Sequence, residues 1–315
     1  MKIYVAGHRG LVGSAIVRAI ESRGEHTWIG RTRAELDLLD RDSVFSFLVS
    51  EKPDAVVIAA AKVGGIHANS SFPVQFLSEN VQIETNLMDG SHSAGIEKLL
   101  FLGSSCVYPK YAKQPIKEEY LLTGELETSN EAYAIAKIAG LKLVQAYRKQ
   151  YGRNWISAMP TNMYGPGDNF DLENSHVLPA LIRKFHEAKK RGDTEVTLWG
   201  SGSPKREFLH ADDLGSACLF LLENYNSASP INVGVGRDIP ISELANLIQE
   251  IVGYLGKIVW DSSKPDGTPQ KLLDVSRINQ LGWESSIDLK HGLEETYKWY
   301  VESHSGQDAG TTLKI

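Results

Sequence analysis

With 315 residues and 42% hydrophobic content, the chain is long enough for one large globular domain or two unequal ones, and its composition excludes the disordered classes. A net charge of −6 from interspersed acids and bases argues against a nucleic-acid or membrane-surface partner. Two cysteines, Cys106 and Cys218, cannot build a disulfide framework, and neither they nor the nine scattered histidines show zinc spacing, so no metal is expected.

In chain order, Lys2-Ile3-Tyr4-Val5-Ala6 reads as a short apolar strand, followed by Gly7-His8-Arg9-Gly10-Leu11-Val12-Gly13 and a helix over 14–23. Glycines at this GxxGxxG spacing, between a strand and a helix, form a dinucleotide turn. They permit a tight turn, let the backbone approach a pyrophosphate and leave the helix N-terminus facing the phosphate. A second strand over 26–30 is followed by Arg31-Thr32-Arg33. An acid at this point would hold a free ribose 2′-hydroxyl, whereas Arg31, Arg33 and Arg9 are suited to a 2′-phosphate, so the expected cofactor is NADP(H). The opening goes straight into a strand, with no charged leader, and no apolar run reaches the roughly 18 residues of a membrane span, so the chain is expected to be cytoplasmic.

The pattern then alternates: helix 40–50, strand 54–60, helix 74–94, strand 98–103, helix 132–151, strand 155–159. Strand and helix in turn predict an α/β fold with a doubly wound parallel (Rossmann) sheet and ligands at the carboxyl ends of its strands. The loop 61–66 and the exit Pro160-Thr161-Asn162-Met163-Tyr164-Gly165-Pro166-Gly167 lie at that edge. Ser104 ends an apolar strand, and Tyr133 and Lys137, four apart, project from one helix face. An ammonium beside a phenol is expected to lower the phenol's pKa. A Ser, Tyr and Lys together point to carbonyl/alcohol redox chemistry.

Farther on, Ser175-His176 precedes a basic helix over 177–191 that carries Arg183 and Lys184. A strand over 195–199, a loop to 206, a helix over 212–223, helical runs at 242–252 and 289–301 and a strand at 257–260 follow. No linker composition separates a second lobe, so two interleaved lobes are expected: a cofactor-binding domain of residues 1–163 and 208–236, and a smaller α/β substrate lobe of 164–207 and 237–303. A loosely ordered tail is expected over 304–315.

These motifs, with Asn162-xx-Gly165-Pro166 and Arg206-Glu207-Phe208-Leu209-His210, resemble the extended short-chain dehydrogenases/reductases that act on nucleotide sugars, over nearly the whole chain. The segments Ala59–Ile66, Gly103–Pro109, Ala134–Gly140 and Lys264–Pro269 narrow the resemblance to members that epimerise and reduce GDP-linked 4-keto sugars. The resemblance implies NADPH-dependent conversion of GDP-4-dehydro-6-deoxy-D-mannose to GDP-L-fucose, by 3,5-epimerisation and then 4-keto reduction. It implies Ser104, Tyr133 and Lys137 as the reductive triad, and Cys106 and His176 as the epimerising base and acid. Gly7 to Gly13 with Arg33 match the NADP site, which is expected to take in Leu102, Gly103, Ser104, Ser105, Tyr133, Lys137, Pro160, Thr161, Asn162, Met163 and His176. Lys184, Trp199, Arg206 and Asp266 match positions that hold the GDP-sugar. Lys184 stands where the family often has Arg, giving a point charge instead of a bidentate fork. By analogy of fold, helices 74–94 and 132–151 could form the seam of a homodimer. Two rivals remain at this stage: a 4-epimerase or 4,6-dehydratase retaining NAD, which should show an acid after the second strand, and a non-catalytic NADP-sensing protein, which should lack Tyr133 or Lys137.

Overall fold

The first half alternates as expected: β1 (Lys2–Ala6), α1 (Leu11–Arg23), β2 (Thr27–Ile29), α2 (Arg41–Glu51), β3 (Ala55–Ile58), α3 (Ile66–Ser71), α4 (Pro73–Ser93), β4 (Lys98–Leu102), α5 (Glu131–Tyr151) and β5 (Asn154–Pro160). The structure is a computed structural model and describes residues 1–172, 175–264 and 266–305. Pro265 and residues 306–315, most of the expected tail, lie outside the described residues. The second half comprises β6 (Asn162–Tyr164), α6 (Val177–Arg191), β7 (Glu195–Trp199), β8 (Lys205–Arg206), β9 (Phe208–His210), α7 (Ala211–Asn224), β10 (Ile231–Val233), β11 (Ile239–Pro240), α8 (Ile241–Val252), β12 (Lys257–Asp261), β13 (Gln270–Lys271), α9 (Ser276–Leu281) and α10 (Leu289–His304).

Six strands pair in parallel in the order β10-β5-β4-β3-β1-β2. A sheet covered on both faces demands continuous apolar strands, and Ile3, Tyr4, Val5 and Ala6 are at most 1% exposed. Their alternation separates two cores. Ile3 and Val5 meet Ile16 and Ile20 of α1, Leu214, Cys218 and Leu221 of α7 and Ile278 of α9. Tyr4 and Ala6 meet Val44 and Leu48 of α2, Leu87 and Met88 of α4, and Leu141 and Val144 of α5. Cys218 is thus a core residue, and burial pushes its thiol well above the usual range. A third core joins Leu181 and Phe185 of α6, Leu198 of β7, Leu244 and Ile248 of α8, and Leu293 and Tyr300 of α10.

Glu207 stitches the crossover between the sheet and this third core. Its fully buried carboxylate accepts from the backbone N–H groups of Val235, Gly236 and Leu273 at 2.6, 2.7 and 3.0 Å. Burial raises its pKa, while those N–H groups oppose the shift. The sequence expectation lacks α3, α9, the two- and three-residue strands β6, β8, β9, β11 and β13, and the edge strand β10, whose three residues are likewise too few for a periodic signal. The expected tail also begins too early. His304 closes α10 and stacks on Tyr300 with ring centroids 4.5 Å apart.

Candidate active site

The sheet reverses its order between β1 and β3, which places a crevice beyond their carboxyl ends. Gly7 lies in this crevice at φ +86°, and a Cβ there would stand 2.8 Å from both Cα and N of Ala60, just past β3. At Gly13 a Cβ would come within 2.0 Å of the Gly7 carbonyl oxygen, so the turn and α1 approach closely only because neither position carries a side chain. Gly10 caps α1 without a side-chain hydrogen bond, leaving the helix's first N–H groups open to an anion. His8 packs against Trp28 and keeps a buried Nδ1 with no partner among the described residues. An open helix start, a cradle that a Cβ would fill and an orphaned polar atom fit the pyrophosphate arm of a dinucleotide.

The three arginines diverge. Arg33 is 77% exposed at its side chain, 3.7 Å from Asp37, and Arg9 is exposed. Arg31, expected beside the 2′-phosphate, is instead committed to Glu51 at 2.8 Å and lies over the Phe47 ring. Glu35, the first acid after β2, turns back to accept from the Thr32 N–H and hydroxyl at 2.7 and 2.8 Å.

At the carboxyl end of β4, Leu102 is buried, and Gly103 leaves room for Met159, whose Cε would be 2.4 Å from a Cβ. Ser104 Oγ accepts from the Cys106 N–H at 3.2 Å and caps a short 3-10 turn, Ser105–Val107, which keeps Ser104 and Cys106 together. Cys106 Sγ lies 3.4 Å from Asn130 Nδ2 and 3.8 Å from Lys271 Nζ. Lys271 pairs in register with Arg206 across β13 and β8. Burial lowers Arg206's pKa, and the charges of Cys106 and Glu127 work against that shift. Cys106, Arg206 and Lys271 therefore share one electrostatic environment.

Tyr133 rises from the first turn of α5, edge-on to Phe76. Its phenol is held above its ordinary pKa, chiefly by burial and then by Cys106 and Glu84. The expected lowering by Lys137 is therefore not what the site does. Lys137 Nζ stands 5.9 Å from the Tyr133 ring centroid, but its ion-pair partner is Glu84 of α4 at 3.1 Å. The phenol retains its proton through neutral pH. His176 precedes α6 as its N-cap residue, and its side chain makes no capping hydrogen bond. Partial desolvation, then Lys271's charge, hold the imidazole below its usual pKa even though the residue keeps an exposed face.

The exit of β5 is pinned to the crossover. Pro160 pairs in register with Val233, the Thr161 N–H donates to the Val233 carbonyl at 3.0 Å and Asn162 Nδ2 donates to the Glu207 carbonyl at 2.8 Å. Met163 packs on the first core. At the end of β7, Trp199 is 69% exposed, and Lys184 Nζ and Lys264 Nζ each lie 5.6 Å from its ring centroid. Asp266 accepts from the Ser201 N–H and hydroxyl at 2.6 and 2.8 Å, closing the loop after Trp199. An open indole flanked by ammonium groups suits a purine base and its diphosphate.

Sequence reasoning missed Glu84, Asn130, Lys264 and Lys271. Glu84 had a readable signal: it is a charged residue on the helix stripe of Phe76, Asn80, Leu87 and Ser91, all buried.

A parallel sheet with a glycine-lined switch point and a Ser-Tyr-Lys set beside a thiol defines a nucleotide-dependent epimerase or reductase. The chain belongs to the NAD dependent epimerase/dehydratase family, whose family model matches residues 3–235. It is 57% identical to GDP-L-fucose synthase 1 of Arabidopsis thaliana over 302 residues, 96% of this chain and 94% of that protein. Against the GDP-L-fucose synthase of Escherichia coli (strain K12) the identity is 53% over 311 residues, covering 96% and 97%. The GDP-L-fucose synthetase of Naegleria fowleri, solved with NADP bound, superposes with a TM-score of 0.89 at 30% identity, covering 96% of this chain and 95% of that one.

Proposed function

We propose that this chain converts GDP-4-dehydro-6-deoxy-D-mannose to GDP-L-fucose, epimerising C3 and C5 and then reducing the C4 ketone with NADPH. The observation that carries this reading is the placement of Cys106: its thiol lies 3.4 Å from Asn130 Nδ2 and 3.8 Å from Lys271 Nζ, in the turn that Ser104 caps, where it can act on carbon. A ketoreductase alone needs no such thiol.

The glycine turn from Gly7 to Gly13, with Leu102, Gly103, Ser105 and Pro160 to Met163, would hold the dinucleotide, and Arg9 and Arg33 its 2′-phosphate. Bound NADPH supplies the hydride for C4. Protons beside a ketone are removable because the enolate spreads its charge onto oxygen, and the Tyr133 and Ser104 hydroxyls can donate to that oxygen. Cys106, as thiolate, takes the proton from carbon while Asn130 and Lys271 donate to its sulfur. His176 returns a proton to the opposite face. In the reductive step Tyr133 gives its proton to the C4 oxygen and regains one from solvent. Lys137 would belong to the dinucleotide site, while Lys184, Trp199, Arg206 and Asp266 would hold the GDP-sugar. The lobes are those bounded at 163/164, 207/208 and 236/237.

We also read the protein as a cytoplasmic homodimer. No helix among the described residues is long and apolar enough to cross a membrane. Val74 and Leu77 of α4 and Ile135 and Tyr151 of α5 leave apolar side chains exposed on two adjacent helices, which supports a seam between copies. Oxidation of NADPH with GDP-4-dehydro-6-deoxymannose, and none with UDP-galactose, is the expected result. Epimerisation of UDP-galactose, or no turnover of the GDP-sugar, would overturn the reading.

A further inference from the structure

Asn130 closes a short 3-10 turn, Thr128–Asn130, and is the N-cap residue of α5. Asparagine is favoured at such a place because its oxygen can accept from the free N–H groups of the helix's first turn. Here it makes no capping bond, and its buried Oδ1 has no partner among the described residues. Its Nδ2 instead donates to Cys106 Sγ at 3.4 Å. A cap forgone and an oxygen left unpaired are both costs to the fold, and what the side chain gains in their place is the contact with the sulfur.

Glu127 holds this turn at both ends. One carboxylate oxygen accepts from the Ser129 N–H at 3.4 Å, and the main-chain carbonyl of Glu127 accepts from the Asn130 N–H at 3.1 Å, which fixes the shape of the turn. The other carboxylate oxygen meets Lys110 Nζ, just past the turn that holds Cys106, at 2.9 Å, and accepts from Thr268 Oγ1 at 3.2 Å. Thr268 is buried two residues beyond Asp266, on the loop matched to the GDP-sugar. A run of direct contacts therefore leads from that loop through Glu127 and Asn130 to the sulfur.

We propose that Asn130 is a positioning residue for Cys106 and that Glu127 ties it to the substrate loop, so that the sulfur is aimed, and its negative charge supported, where the GDP-sugar is held. The inference rests on Cys106 being the base that removes the carbon-bound proton. A thiolate base needs a donor that does not compete for that proton, and a neutral amide N–H is one. Thr268 acts through the turn, since its hydroxyl donates to Glu127.

The test is deuterium exchange into the 4-keto GDP-sugar in D2O without NADPH, followed by NMR, for Asn130→Ala, Asn130→Asp, Thr268→Val, the Asn130→Ala/Thr268→Val double variant and Cys106→Ser. Asn130→Ala should lower kcat for exchange about tenfold or more, with KM, NADPH affinity and melting temperature near wild type. Asn130→Asp, which keeps the shape but not the donor, should lose at least as much. Thr268→Val should cost about threefold, and the double variant should exchange no more slowly than Asn130→Ala, because two residues on one path do not act independently. Wild-type exchange in Asn130→Ala or Asn130→Asp would overturn the role of Asn130. Losses that multiply in the double variant would overturn the tie through Glu127. Cys106→Ser separates failure of the proposal from failure of the reading beneath it. If it exchanges normally, the assignment of the base is wrong. If it is inactive while both Asn130 variants exchange as wild type, only the role of Asn130 falls.

Discussion

Replacing Gly7 with Ala tests whether the glycine turn is shaped by the closeness of β1 and β3. At φ +86° an L side chain costs about 1–2 kcal/mol. The added Cβ would also stand 2.8 Å from the backbone of Ala60, which unlike a side chain tip cannot turn aside, and overpacking of this kind costs roughly 1–3 kcal/mol. Together, about 2–5 kcal/mol falls on the two strand ends that bound the crevice. The chain can relieve part of it only by parting them, which spoils the fit to a dinucleotide. Gly24→Ala is the control, because Gly24 has a similar φ of +67° but nothing within 4 Å of a Cβ, leaving the backbone term alone. Thermal melting and NADPH titration of both variants are the assays. Gly7→Ala should lower the melting temperature more than Gly24→Ala and weaken NADPH binding at least about tenfold, equivalent to 1.4 kcal/mol. Equal effects of the two substitutions on stability and affinity would refute the argument.

Arg33→Ala should reduce the ratio of kcat/KM for NADPH over NADH by roughly tenfold, since one charge-assisted contact to the 2′-phosphate is lost; an unchanged ratio would remove Arg33 from the site. In D2O without NADPH, wild type should wash deuterium into C3 and C5 of the 4-keto sugar, and Cys106→Ser should lose most of that exchange while still binding NADPH, because a hydroxyl ionises far less readily than a thiol. Full exchange in Cys106→Ser, followed by NMR, would reduce the cysteine to a packing residue. Asp168 is held up to about 7 by burial, with Oδ2 unpartnered among the described residues. A carboxyl whose folded pKa is raised costs stability as pH climbs from its unfolded value toward that pKa. Asp168→Asn should therefore stabilise the fold at pH 8 by about 2 kcal/mol, allowing for partial exposure, and by little near pH 4, read from denaturant melts at both pH values. An equal effect at both pH values would contradict this.

By itself, the sequence determined what depends on neighbours along the chain. The GxxGxxG turn between a strand and a helix, the four-residue step from Tyr133 to Lys137 and the strand-ending Ser104 are local patterns, and each is found where its spacing implied. The alternation of apolar strands and amphipathic helices likewise dictated a parallel, two-faced sheet, because only burial on both sides rewards strands such as β3 with no polar residue. What only the tertiary structure decided is the partner each charge finds. Lys137 was legible as a neighbour of Tyr133, but Glu84 reaches it from another helix and claims its charge. Arg31 was read as a phosphate ligand and is held by Glu51, 20 residues away. Lys271 meets Cys106 across 165 residues of chain, through a two-residue strand with no periodicity to announce it. Electrostatic and packing energies depend on distances in space, and separations of this length are set by the sheet order and the crossover at Glu207, to which no local pattern refers.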